Sequence, residues 1–257
     1  MKKIIILTDA EYNSNSSALI LIKSLAYYLS NNFKVEIILP TTKLDRIYSK
    51  QIINGISFHK IIFFDIKKSN NFFRVILEFL YPLWTYIVYN IFEKKKKSKL
   101  LIIYSPSIFL SLFQYLYKIK YKTKTFLILR DHFPKWAIDL KLINNKILIF
   151  FLNNLENFLF KYADIIGIQS INNLKFVNKI FHKKIVLFRN WINLKMEKKI
   201  KKQNKSIKLI YCGNIGPAQD LKSINYVINL CERNFIYLDF YGRGKFYNEI
   251  KKKESQY

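Results

Sequence analysis

Cysteine, histidine, glycine and acid are what this chain has little of. Its 257 residues include 2 Cys, 3 His and 6 Gly, and 17 Asp and Glu stand against 44 Lys and Arg. Cys212 and Cys231 have no metal-ligand spacing, and with so few histidines the expectation is a reduced, cytosolic protein without a zinc site or a disulfide framework. A long amino-terminal apolar run is also missing. The run in Met1-Lys-Lys-Ile-Ile-Ile-Leu-Thr-Asp9 stops after Leu7, too early for a signal peptide, and reads as a first buried parallel strand.

The shortage of acid leaves a formal charge of +27, which invites a nucleic-acid reading. The excess is spread along the whole length as Lys, among abundant Ile, Asn, Phe and Tyr, the profile of an AT-rich coding sequence. It forms no recognisable nucleic-acid motif and no single basic face, so no specific nucleic acid is expected as a partner. A cationic surface is nevertheless drawn to anionic lipid headgroups whatever its origin. The 51% apolar content is ample for a buried core.

Periodicity then orders the chain. Strand Ile4–Leu7, a polar loop Asp9–Ser17, a helix with Leu19, Ile22, Leu25, Ala26 and Leu29 at helical spacing, and strand Lys34–Leu39 make a βαβ unit. Asn54-Gly55 between two short apolar runs predicts a hairpin turn. Phe72–Phe92 is apolar and is followed by Glu93 and a Lys run. Arg74, Glu78 and Pro82 shorten it below the about 20 residues a membrane span needs. Two readings stay open for it: a helix packed on the sheet, or one lying in a membrane interface with Trp84, Tyr86 and Tyr89 at headgroup level.

Leu100–Tyr104 reads as the next strand. A helix begins at Ser105-Pro-Ser107, with Ile108, Leu112, Tyr115, Leu116 and Ile119 toward the sheet. Strand Thr125–Leu129 follows, then a long helix with Ile147, Phe151, Leu155, Phe158, Leu159 and Tyr162 on one face. Strand Ile165–Ile168, helix Asn172–Phe181 and strand Ile185–Phe188 complete the series. The expected organisation is a complete parallel-sheet domain over 1–194, a Lys-rich linker over 195–206, and over 207–257 only the first βαβ of a second domain. That second unit comprises strand Ile207–Cys212, loop Gly213–Pro217, helix Gln219–Glu232 and strand Phe235–Tyr241.

The richest chemistry lies where Thr125–Leu129 empties into Arg130-Asp-His-Phe-Pro-Lys-Trp-Ala-Ile-Asp139, since loops at the carboxyl ends of buried strands carry the chemistry of open α/β sheets. This loop resembles the active-site loop of sugar-nucleotide glycosyltransferases of the GT4 group, in particular the bacterial N-acetyl-fucosamine transferases of lipid-linked surface-polysaccharide synthesis. Four further segments match family elements in the same order: Tyr104–Leu110, Tyr162–Ser170, Arg189–Asn193 and Gly213–Gly216.

The resemblance implies the α/β GT-B fold, two Rossmann-like domains facing across a cleft, and transfer with retention of configuration. It implies a nucleotide-sugar donor, a polyprenyl-diphosphate-linked acceptor, a place on the cytoplasmic face of the plasma membrane, and no cofactor. The lack of an Asp-x-Asp pair or His cluster agrees with the absence of a metal. Arg130, Asp131 and His132 become the expected catalytic set, with Ser105, Trp136 and Asp139 on the acceptor side. Gly213, Asn214, Gly216, Gln219 and Arg243 are expected on the donor side, where backbone N–H groups would hold a diphosphate. A plainer reading has Asp131 capping the next turn with Arg130 paired to it, and Gly216 as a turn former.

Three departures from the family pattern stand out. Asn214 and Gln219 replace the usual Arg and Lys, loop Asp9–Ser17 lacks glycine, and the family's Glu-x7-Glu donor motif is not reached. They imply a truncated chain that is inactive by itself, and as an alternative function a membrane-associated remnant that only binds acceptor.

Overall fold

The computed structural model describes every residue except 44, 66–70, 95–96, 106, 178–183, 192–206, 217–218 and 255–257. The expected linker, Pro217, the end of the Arg189–Asn193 element and the end of the helix expected over Asn172–Phe181 fall outside the described residues. The chain divides into two compact units, Met1–Leu194 and Lys195–Tyr257.

In the first unit eight strands form one sheet in the order β3-β4-β2-β1-β5-β6-β7-β8. They are β1 Lys3–Thr8, β2 Lys34–Thr41, β3 Tyr48–Ile53, β4 Ile56–Ile62, β5 Leu100–Ser105, β6 Lys124–Leu129, β7 Ile165–Ile168 and β8 Lys184–Leu187. All neighbours pair in parallel except β3 and β4, an antiparallel hairpin at the edge. Its turn is Asn54-Gly55, with φ of 47° and 76°, the backbone that lets a two-residue loop follow the strand twist.

Because the sheet is covered on both faces, its central strands are apolar on both sides, and alternate residues feed two cores. Ile4, Ile6, Val35, Ile37 and Leu39 pack on helix α1, Ser17–Ser30, through Leu19, Ile22 and Ala26. Ser16 caps that helix by accepting from Leu19 N. Ile5, Leu7, Ile38, Leu101, Ile103 and Leu127 pack on the opposite layer. That layer contains α2 Asn71–Phe92, α3 Ser111–Tyr121 and α5 Lys146–Tyr162; α4, Lys135–Asp139, is one short turn, and α6 is Leu174–Val177.

Two expected helix faces are rotated from where they lie. A 3-10 turn, Ile108–Leu110, precedes α3 and shifts its phase, so Phe113 and Tyr117 are buried while Ile119 is exposed. In α5 the buried line is Leu152, Leu155 and Leu159, and Ile147 and Phe151 face outward. At the start of α5 the residues Ile147–Leu152 are apolar without a break, so the pattern there carries no phase.

α2 buries Tyr81, Thr85, Val88 and Tyr89 against the sheet, and Tyr81 Oη donates to Thr8 O at 2.8 Å. Phe73, Ile76, Leu80, Ile87 and Ile91 line its exposed side. The helix is long and apolar enough to cross a membrane by length and composition, but one face is part of the protein core.

Under the carboxyl end of α2 lies a buried polar network. Lys3 Nζ donates to Glu36 Oε2 at 3.2 Å, His59 Nε2 lies 3.3 Å from the same oxygen, and Lys50 Nζ donates to Glu93 Oε2 at 2.6 Å. Burial alone would raise the Glu36 pKa, but the His59 imidazole and the Lys3 ammonium outweigh it and hold the carboxyl down at about 2. Glu36, His59 and Glu93 place possible ligand atoms within 4.8 Å of one another. Lys3 and Lys50 already balance the two carboxylates, which removes the electrostatic demand for a cation.

The second unit is one βαβ and a further helix: β9 Lys208–Asn214, α7 Leu221–Arg233, β10 Tyr237–Arg243 and α8 Tyr247–Glu254, with the two strands parallel. Ile215, Cys231 and Ile250 are buried in it.

Two outcomes are expected. Stability contributed by ionised Glu36 is fully present above pH about 4.5 and is lost as pH falls towards about 2, an effect on the order of 3 kcal/mol. Urea unfolding followed against pH should show this loss in the wild type and a flatter profile in Glu36→Gln. In unit 2, a Cβ on Gly242 would lie 1.9 Å from Gly213 O, whereas one on Gly213 meets only the Tyr211 side chain at 3.5 Å. Gly242→Ala should therefore speed amide exchange across β9 and β10 through a local cost of about 1–3 kcal/mol, and Gly213→Ala should not.

Candidate functional site

The sheet reverses its winding between β1 and β5, so the carboxyl ends of β1, β5 and β6 surround the switch point where open α/β sheets bind ligands. β6 ends there and delivers Arg130, Asp131 and His132 in three directions. Arg130 turns back onto β5: its N–H donates to Ser105 O at 3.2 Å, and Nη1 donates to the Tyr104 hydroxyl, with the guanidinium over the Tyr104 ring. Tyr104 is buried, and burial raises its phenol pKa against the lowering influence of Arg130. Arg130 is thus fastened to Tyr104 and not to Asp131.

Asp131 is exposed. It does not cap the next helix, because α4 has Pro134 at its N-cap and no side-chain cap bond. His132 points toward α5, with Nδ1 3.9 Å from Glu156 Oε1 and both side chains mostly buried. These two groups line a cavity of about 280 Å³ with Lys135, Ile138, Asp139, Asn153 and Phe160. A histidine backed by a carboxylate in a cavity at the carboxyl edge is an arrangement suited to holding a hydroxyl or moving its proton.

The residues expected on the acceptor side separate. Asp139 lines the cavity and pairs with Lys135 at 2.8 Å. Trp136 is half exposed against Phe133. Ser105 is buried, and its hydroxyl donates to Ser107 O at 3.2 Å, so it braces its own loop. A smaller cavity, about 80 Å³, lies at the ends of β1 and β2 and is lined by Asp9, Glu11, Asp65, Arg74, Glu78, Tyr81 and Ser107 among others.

Sequence reasoning gives Glu156 no role, and it holds Tyr104, Ser107, Asp9 and Glu11 only as parts of longer segments. Glu156 did carry a signal: it is the one acidic residue in the apolar helix Lys146–Tyr162. Arg74 and Glu78, which interrupt the apolar run in the sequence, form an ion pair at 2.8 Å.

The donor-side residues come together within unit 2, in a form that differs from the expectation. Gly213 and Asn214 are not loop residues: β9 extends through them, and they pair with Gly242 and Arg243 of β10. The helix begins later than expected, at Leu221, so Gln219 precedes it. Gln219 closes a turn on Gly216 by donating its N–H to Gly216 O at 2.9 Å and accepting from Gly216 N at 3.2 Å. The N–H of Gly216 is therefore engaged by a neighbouring amide. The N-terminus of α7 holds the carboxylate of Asp220, which accepts from Lys222 N, Ser223 N and the Ser223 hydroxyl. Those bonds, that to the Ser223 hydroxyl foremost, lower its pKa. The N-terminal N–H groups of α7 that the side chain reaches are thus satisfied by an anion of the protein itself.

No protein-family model and no curated protein matches the chain. Solved structures do match it. A structure of trehalose-6-phosphate from E. coli bound with UDP-2-fluoro glucose is similar at TM-score 0.65 and 9% identity, over 99% of this chain and 68% of that one. Sucrose-phosphate synthase from Thermosynechococcus elongatus is similar at TM-score 0.63 and 8% identity, over 95% and 71%. TcCGT1 in complex with UDP matches at TM-score 0.51 and 10% identity over 82% of this chain, which spans 57% of that structure's length. The neighbours are GT-B glycosyltransferases, and at such identities the likeness is one of fold. The chain has a mixed α/β architecture with a mostly parallel eight-stranded sheet, matching the Rossmann-like domains of that fold.

Proposed function

We propose that the protein belongs to a glycosyltransferase that moves a sugar from a nucleotide-sugar to a lipid-linked saccharide in surface-polysaccharide synthesis, with retention and without a metal. The observation that carries this reading is the β6 loop: at the switch point of a GT-B-like sheet it presents Arg130 anchored on Tyr104 and His132 backed by Glu156. Arg130 supplies a fixed positive charge beside the reacting groups, and His132 orients the acceptor hydroxyl. Asp131, exposed between them, accepts a hydrogen bond from a sugar hydroxyl. The exposed apolar side of α2, with Lys94 and Lys97 beyond its end, and the charge of +27 favour an anionic membrane surface on the cytoplasmic side.

A second reading has its own support. The engaged Gly216 N–H, the neutral Asn214 and Gln219, and the Asp220 carboxylate at α7 all weaken a diphosphate site in unit 2. A chain that keeps acceptor binding and has lost donor binding would behave as an acceptor-binding remnant.

Both readings are tested with polyprenyl-diphosphate saccharides in nanodiscs and labelled UDP-, GDP- and ADP-sugars. The 257-residue chain is expected to bind acceptor while transferring little or no sugar. Asp131→Ala and His132→Ala should each weaken acceptor binding at least tenfold, about 1.4 kcal/mol, with unchanged circular dichroism. In any form that transfers sugar, each should lower turnover about a hundredfold, roughly 2.7 kcal/mol. Failure to bind any lipid-linked saccharide would overturn both readings, and robust transfer by these 257 residues would remove the second.

A further inference from the structure

The outward side of the first turns of α5 is unusual for a surface helix. Ile147 and Phe150 are 81% and 71% exposed, and Phe151 beside them is 43% exposed. The chain just before the helix adds exposed Leu140 and Leu142. The spacing of Ile147, Phe150 and Phe151 puts them on one stripe, while Leu148, Leu152 and Leu155 hold the helix to the core. Asn145 fixes where the helix starts by accepting from Ile147 N and Leu148 N, so the stripe is displayed by a capped, packed element.

Between Leu140 and Phe151 the only charged residues are Lys141 and Lys146, both exposed. Large apolar and aromatic side chains with the exposed Lys141 and Lys146 among them, and with the nearby Asp139 paired to Lys135, match the interfacial zone of an anionic bilayer, where rings enter the acyl boundary and ammonium groups meet headgroup phosphates. Position adds to the argument. α5 lies between β6 and β7, parallel neighbours in the sheet, so its amino end stands at the carboxyl edge, the edge that bears Arg130 and His132.

We propose that the α4–α5 tip, residues 140–151, inserts into the surface of an anionic lipid bilayer and sets the β6 loop at headgroup height. This goes beyond the outer side of α2 as the attachment surface: the tip is the anchor, and it faces the membrane edge-on with the candidate site beside it. It rests on the lipid-linked acceptor reading, but lipid binding is measured without sugar transfer, so the two can fail separately.

The test uses the full chain with vesicles of phosphatidylcholine containing 30% phosphatidylglycerol, and with pure phosphatidylcholine. Trp136 provides a local probe, being half exposed near the tip, whereas Trp84 and Trp191 donate their indole N–H groups to Ile62 O and Leu21 O inside the fold. Acyl-chain-brominated lipid should quench emission in the wild type, and the quenching should be lost in Trp136→Phe. Ile147→Ser with Phe150→Ser should reduce partition onto anionic vesicles at least tenfold without changing the melting temperature. Lys141→Glu with Lys146→Glu should reduce it on anionic vesicles only. Ile87→Ser with Ile91→Ser, on the outer side of α2, should have a smaller effect. The proposal is overturned if the tip variants bind like wild type, if the α2 variant alone abolishes binding, or if the tip serine variant instead dissolves a dimer of this chain that shows no lipid affinity.

Discussion

Covering the unit 1 sheet on both faces is the constraint on which the rest depends. Ile5, Ile6, Leu7, Ile37, Ile38, Leu101, Ile103, Leu127 and Leu129 are all buried, so along these strands a polar side chain costs desolvation unless it is paired. Chemistry is thereby pushed to the strand ends. At the carboxyl edge the departing loops are free to be polar, and β6 releases Arg130, Asp131 and His132 there. Glu36 and His59 show what it takes to place charge inside: two lysines, two tyrosines and a second carboxylate, drawn from β1, β3, α2 and the residue that follows α2.

The same covering explains which parts of the structure the sequence makes legible. Doubly buried strands read as short continuous apolar runs, so β1, β2, β5, β6 and β7 are found within a residue or two, and Asn54-Gly55 marks its hairpin. Helix phase is a different matter. The buried line of α1, Leu19, Ile22 and Ala26, keeps helical spacing and is readable. At the start of α5, Ile147–Leu152 are apolar without a break, and only packing decides that Leu152 goes in while Ile147, Phe150 and Phe151 stay out. The exposed stripe of α5 is what such a sequence conceals.

Site residues follow a related logic. A loop dense in Arg, Asp and His announces itself, but its neighbours come from elsewhere in the chain: Tyr104, 26 residues away, accepts from Arg130, and Glu156, on a helix, lies 3.9 Å from His132. Local bonding also removes candidates that pattern alone favours. Ser105 spends its hydroxyl on Ser107, Gln219 spends its amide on Gly216, and Asp220 fills the end of α7. The carboxyl edge of the unit 1 sheet thus keeps exposed polar groups, whereas the polar groups of the Gly216–Asp220 turn in unit 2 are engaged with one another.

Amide hydrogen exchange on the whole chain in anionic nanodiscs, with and without a polyprenyl-diphosphate saccharide, tests the central claim most directly. The account predicts that the saccharide slows exchange in the β6 loop, from Arg130 to Trp136, and in the neighbouring Ser105–Ser107 segment, while β9 and β10 are unchanged. Protection confined to unit 2, or no protection at the carboxyl edge of the unit 1 sheet, would contradict it.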